Sequence, residues 1–425
     1  MMTGSKSKLI LSAAAIALIA AVSVGIVLFL SPESPEKFRD EAEFSAMEEI
    51  ARKEFSDKVF GMLPDSSGFL VVDDALDRLH ILNPDFSVSG ESIPVERSSI
   101  RDISGFKKAA WNKEGNLFFA ADVDPVPMEL RFMNSFNFSV YSLQKKSPVF
   151  TTRENLDKPW QAGGSVMHSP SWSVDGKSIL YSMVDNSPLK ESIVRVDIEK
   201  KQRSIVYEGP EGGFSGVRGI ELSRNLLFLC NLSGRPDDTA VYLYDTRRKV
   251  RKDLTADIRS SLDEAYGYTA FFNIKAFSRD RRTILLEAHT GNADNVESPI
   301  VALYLITFSP GFRDYEIQGH LFASETGYGS SRVVHNAVVS PGGRYLLTRE
   351  DELVPDGNGS VQNRELVLYD LVKGKQFILF STGENLHFGI NQQGRRDYDS
   401  IYISDNGRLL VDFAGEYRHY RLTQP

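Results

Sequence analysis

His168 and His335 stand in one register of a phrase that recurs along the chain, which has only seven histidines in all. Lys107, Arg218, Asn273 and Asp399 hold the same register in four other copies, five residues ahead of the aligned turn. Imidazoles and carboxylates that converge on one point are the donors a divalent cation takes. A ring of polar groups at the mouth of an apolar cavity is what orients a small ligand. With a general base and a third ligand, such a ring would support metal-assisted chemistry. Holding water alone, it is a solvated channel mouth. All six residues are candidates for ligand binding, and His168 and His335 are the candidate metal ligands.

Other motifs fall away on spacing. Gly176-Lys177-Ser178 would end a phosphate-binding loop only with glycine at 171, where serine stands, and with a helix to follow. "GYGSSR" (327–332) lacks the third glycine of a dinucleotide fingerprint. There is no H-E-x-x-H, and the acidic loops "DELVPDGNGS" (351–360) and "AHTGNADNVES" (288–298) do not have the spacing of an EF-hand. The single cysteine, Cys230 in "LLFLCN", rules out an internal disulfide and a multi-cysteine zinc site, and its surroundings read as a buried small hydrophobe. Fifty-seven acidic side chains against 49 basic ones, a net charge of -8, argue against a nucleic-acid partner. No nucleotide and no cofactor are expected, a divalent metal at the histidines being the one alternative. Asn137, Asn231 and Asn358 open glycosylation triplets that carry little weight alone.

The register that groups the six residues comes from a repeat. "PSWSVDGKSILYS" (170–182) recurs in pattern as "AAWNKEGNLFFAA" (109–121), "KAFSRDRRTILLEA" (275–288), "AVVSPGGRYLLTRE" (337–350) and "IYISDNGRLLVDF" (401–413). Weaker copies are "GMLPDSSGFLVVDD" (61–74) and "GIELSRNLLFLCN" (219–231). With Pro64, Asn112, Ser173, Ser223, Ser278, Ser340 and Ser404 as equivalents, successive spacings are 48, 61, 50, 55, 62 and 64 residues. A second alternating segment follows each copy, as in "IVRVDIEKKQ" and "AVYLYDTRRKV". Period-two alternation suits strands with one packed face, and glycine at the turns supplies a positive φ. Helical patterns are almost absent after residue 60. Repeated hairpins with no helices between them read as four-stranded blades set radially, an all-β propeller of about seven blades, with six or eight also compatible.

The phrase at 170–182 resembles the repeat of TolB-type, WD40-like (PD40) propellers, whose consensus runs approximately P-x-W-S-P-D-G-x-x-I-A-F. Trp172, Ser173, Asp175 and Gly176 match, and Val174 replaces the proline. Arg281 and Arg282 fall where the turn glycine is expected, and the copy at 219 is shortened. The resemblance implies the fold and says little about activity. Some TolB-like seven-bladed propellers are oligogalacturonate lyases with channel histidines around a metal, which implies the alternative function of a carbohydrate-active enzyme. The resemblance also includes serine peptidases with an added hydrolase domain, but no G-x-S-x-G elbow occurs here.

The N-terminus carries its own message. Residues 9–30, "LILSAAAIALIAAVSVGIVLFL", are 22 consecutive uncharged residues, enough to span a hydrocarbon core of roughly 30 Å. Lys6 and Lys8 precede the run, and Ser31 to Glu54 bear eight acidic and four basic side chains. That asymmetry predicts a single-pass anchor with its N-terminus in the cytoplasm and the remainder on the periplasmic or extracellular side. A cleaved signal peptide is the competing expectation. Ser34 and Pro35 read as the start of a short juxtamembrane helix, with Phe44, Met47, Ala51 and Phe55 as its stripe. The expected organisation is a cytoplasmic terminus (1–8), an anchor (9–30), a linker with its helix (31–56) and a propeller (57–425). A segment before Met62 should supply the strand that closes the ring. The expected role is a recognition scaffold for a protein partner in the cell envelope.

Overall fold

In the computed structural model the described residues are 42–44, 47–54, 58–72, 78–95, 110–124, 133–151, 161–163, 170–186, 189–209, 217–230, 241–258, 271–289, 300–321, 332–353, 361–382, 401–413 and 416–423. The repeated phrase closes the inner hairpin of each sheet. In the best-preserved copy the Ser173 N–H donates to Ser178 O (2.8 Å) and the Gly176 N–H to Ser173 O (3.0 Å). The same pair of bonds starts from Leu63, Asn112, Ser278 and Ser340, and from Ser404 with one residue fewer. Leu63, rather than Pro64, is therefore the equivalent residue of the first copy. The third residue after each start is left-handed: glycine at 115, 176, 343 and 407, but Ser66 (φ 61°) and Arg281 (φ 63°) in the other two. In the copy at 219 only Arg224 and Asn225 lie between the paired Ser223 and Leu226.

Seven sheets follow, and the protein is a seven-bladed β-propeller. In chain order the blades lie within 58–94, 110–163, 171–208, 218–253, 271–321, 332–382 and 401–422. One apolar cluster sits between each neighbouring pair of blades, which places most of the burial between sheets. Trp172, for example, packs with Phe138, Phe150 and Ile179 between blades 2 and 3. The Cys230 thiol is fully buried between blades 4 and 5, and burial pushes it up to about 11. It is an inert hydrophobe in this fold.

Ring closure is made by the N-terminal segment. Blade 7 has three strands of its own, Ile401–Ile403, Arg408–Phe413 and Glu416–Leu422, and Met47–Glu54 adds antiparallel as its outer strand. Met47 lies opposite Leu422 and Glu54 opposite Glu416. Ala42–Phe44 pairs in parallel with the outer strand of blade 6, Lys375–Thr382, with Ala42 opposite Gln376. This corrects the expected juxtamembrane helix, since its stripe residues Phe44, Met47 and Ala51 all lie in strands. A register shift between Glu49 and Ala51 puts Met47 against the blade 6–7 cluster and Ala51 against the blade 7–1 cluster. Residues that look like one helical face thus face opposite sides of a blade. The open edge of Glu416–Leu422 overrides local helix propensity. Among the described residues no helix is long and apolar enough to cross a membrane, and the expected anchor at 9–30 lies outside them.

The seam between blades 7 and 1 also carries polar ties. Tyr402 Oη donates to Val59 O (3.0 Å), and the Val59 N–H donates to Tyr417 Oη (3.3 Å). His419, fully buried, gives its Nδ1–H to Pro84 O at 2.8 Å and meets the Phe69 ring edge-on. Burial holds this imidazole below its ordinary 6.5. A base depressed in the fold is neutral there and gains a proton on unfolding, so stability is full above pH 6.5 and falls as pH drops through that value. Denaturation midpoints measured across this range should show that decline. His419→Gln, which keeps a donor for Pro84, should flatten it, and an unchanged slope would remove His419 from the account.

Candidate functional site

In an up-and-down sheet of four strands, the first and third turns share one end and the second lies at the other. The hydrogen bonds follow this rule. Ile198 N–H donates to Lys177 O (3.1 Å) and Leu371 N–H to Arg344 O (2.9 Å), tying outer turn to inner turn within a blade. Neighbouring inner turns are tied as well: Trp111 Nε1–H to Met62 O (3.0 Å), Val174 N–H to Glu221 (2.8 Å) and Gly342 N–H to Asp405 (2.7 Å). Thirteen turns, seven inner and six outer, thus form one face of the disc.

This face inverts the charge of the chain. Its turns (63–68, 83–87, 112–116, 143–146, 173–177, 198–201, 224–225, 246–249, 278–282, 309–314, 340–344, 371–374 and 404–407) carry sixteen Lys and Arg against eight Asp and Glu. Several of those acids are engaged by their own backbone. Asp65, Asp85, Asp175 and Asp280 each accept an N–H two residues on.

At the centre of the turn face lies a cavity of about 220 Å³, lined among the described residues by every blade except the fourth. Its walls are largely apolar and aromatic, with Trp111, Phe277 and Tyr402 among them. Among the described residues, Lys113, Arg279 and Arg281 are its charged groups, and no carboxylate or imidazole lines it. Arg281 is the unusual member. It is 6% exposed, sits 4.0 Å over the Phe277 ring, and donates Nη2–H to Trp172 O (2.6 Å) across the gap left by the short turn of blade 4. Its Nε and Nη1 are buried without a hydrogen-bond acceptor among the described residues. Burial lowers its guanidinium to about 10, which leaves it charged at neutral pH. The nearby Glu221 carboxylate is taken up by Arg195 and the Val174 N–H (2.8 Å). Burial pushes that carboxyl above its ordinary range while Arg195 pulls it back.

Of the six register residues, Arg218, Asn273 and His335 lie on inner strands, toward the mouth opposite the turn face. Arg218 and Asn273 come together there: Arg218 Nη1–H donates to Asn273 Oδ1, whose Nδ2–H donates to Glu287 at 3.0 Å. Lys275 pairs with the same Glu287 at 3.2 Å. Both ring residues are buried, and burial lowers Arg218 to about 10. His335 lies on the strand Arg332–Val339, at a register shift between Val334 and Asn336. Lys107, His168 and Asp399 lie outside the described residues. Among the described residues no group of three or more His, Cys, Asp or Glu is placed to hold a metal ion. A buried guanidinium at this mouth also repels a divalent cation, so the described groups do not fit a metal shell.

The turn-face cavity was within reach of the repeat alignment, because its lining falls on the aligned position and its neighbours. Trp111 and Lys113 flank Asn112, Phe277 and Arg279 flank Ser278, and Ile403 precedes Ser404.

No protein-family model matches the chain, and no curated protein matches it by sequence. The fold is similar to solved propellers. An oligogalacturonate lyase in complex with manganese superposes with a TM-score of 0.54 at 10% identity, covering 90% of this chain and 99% of that one. The β-propeller domain of Swd1 from Myceliophteria thermophila gives 0.48 at 9% identity, over 89% of this chain and 100% of that one. TolB from Acinetobacter baumannii gives 0.34 at 13% identity, over 87% and 77%. At such identities the likeness is one of fold.

Proposed function

We propose that this protein is a recognition scaffold, held in the cell membrane by residues 9–30 with its propeller on the periplasmic or extracellular side, that docks an envelope protein partner at the turn-face cavity. The anchor rests on the 22 uncharged residues and on the lysines before and acidic excess after them. The recognition role rests on the cavity, whose aromatic walls and fixed cations are binding groups. Among the described residues, that lining includes no carboxylate or imidazole to serve as a general acid or base. A metal-dependent carbohydrate-active enzyme working at the opposite mouth is the weaker reading, because Arg218 and Asn273 are tied into a buried network with Glu287 there.

A photo-cross-linking residue at Lys113, on the cavity rim, should give a discrete protein adduct in membranes of intact producing cells. One at Val88, exposed on the outer edge of blade 1, should not. Filling the cavity with Val174→Trp should abolish the adduct. An adduct that survives Val174→Trp, or none at all, would refute docking at this site.

A further inference from the structure

We propose that the cavity receives a carboxylate from an acidic segment of the partner polypeptide, and that Arg281 is the residue that holds it. This rests on the recognition reading above and names the chemistry of its partner. Arg281 bears two costs that a structural strut does not require. At this position four blades place glycine, whereas Arg281 adopts φ 63° with a full side chain, a conformation costing roughly 1–3 kcal/mol outside glycine. A guanidinium is also buried with Nε–H and Nη1–H left without acceptors, and such donors lose their hydration without compensation. An incoming carboxylate supplies the missing acceptor and adds a second negative charge to the through-space one of Glu221.

The surroundings narrow the class of partner. Lys113 and Arg279 stand exposed at the cavity rim, and among the described residues no acid lines the cavity to compete with a ligand. Sixteen cations over thirteen turns extend the attraction well beyond one ion, which suits an extended acidic chain. The walls of Trp111, Phe277 and Tyr402 accommodate an apolar side chain next to the carboxylate. A flat anionic membrane would meet the rim turns but would not reach a donor buried between them. The segment is therefore one that inserts.

The test uses the full chain in phosphatidylcholine nanodiscs. The probes are a fluorescein-labelled peptide alternating Glu and Val, its Gln and Val counterpart, and phosphatidylglycerol vesicles as a competitor. The Glu peptide should bind about tenfold or more tightly than the Gln peptide. Arg281→Met should remove that preference, and Arg281→Lys should keep part of it. The exposed pair Lys113→Gln and Arg279→Gln should weaken binding severalfold and reduce its salt dependence. This pair leaves the core untouched, so it carries the test if Arg281→Met fails to fold. Equal binding of the two peptides, or a preference that survives Arg281→Met, would overturn the proposal. So would vesicles that displace the peptide from wild type but not from Arg281→Met, since the site would then be a lipid site. A cavity cross-link with both peptides binding alike would leave the recognition reading intact and remove only the carboxylate. Absence of the cross-link as well would remove both.

Discussion

Deleting residues 42–54 should cost the propeller its single cooperative unfolding transition. The expected loss is on the order of 5 kcal/mol, from about one net kcal/mol for each hydrogen bond of the closing ladder. Among the described residues, Met47–Glu54 alone covers the outer edge of the strand Glu416–Leu422, and its removal bares an edge rich in aromatic side chains. Exposed edges of this kind recruit other chains, so concentration-dependent aggregation should accompany the loss. The seam with blade 1 should loosen with it, because Ala51 packs on the cluster of Val59, Phe69, Tyr402 and Tyr417. Urea denaturation followed by intrinsic fluorescence reads both effects. An unchanged midpoint and slope would mean that the ring closes without this strand.

Glu221→Ala should be the most damaging single substitution near the cavity, at about 3–5 kcal/mol, because it strands the buried Arg281 and the half-buried Arg195. Glu221 is 2% exposed and serves Arg195, the Val174 N–H and, through space, Arg281. Glu221→Gln retains an acceptor for Val174 and should cost less. In the Glu221→Ala background, Arg281→Met removes one of the stranded charges and should recover part of the loss. Thermal melts of the two single variants and the double variant form the cycle that checks this. Strict additivity would mean that Glu221 and Arg281 do not share a field.

What the sequence revealed and concealed follows the reach of the forces involved. The inner turns were legible because each is settled by five or six adjacent residues, such as Ser173 to Ser178, with a left-handed position that favours glycine. Their repetition then implied the ring. The closing strand was legible only as a missing piece, since the partner of Met47 is Leu422, at the far end of the chain. Its shifted register imitated a helical stripe. The turn with Leu63 was misaligned by one residue because Pro64 looks like the turn start, whereas the hydrogen bonds begin at Leu63. Of the six residues that share one register of the repeat, Arg218 and Asn273 touch. The cavity is harder to read because its key residue shows in the sequence only as a departure from pattern, arginine where glycine belongs. Which blades Arg281 bridges depends on the short turn of blade 4, and periodicity carries no such information.

The closing strand has a mechanical consequence. Ala42 lies beside Gln376 and Met47 beside Leu422, both at the turn-face end of their blades, and both N-terminal strands run away from that face. Tension applied to the chain ahead of Ala42, drawing it off the turn face, therefore acts along the length of Met47–Glu54. The ladder to Glu416–Leu422 is then loaded in shear, with its rungs sharing the force instead of opening one by one. If residues 9–30 anchor the protein as proposed, the tether leads straight into the clasp of the ring, and a pull on one is felt directly by the other.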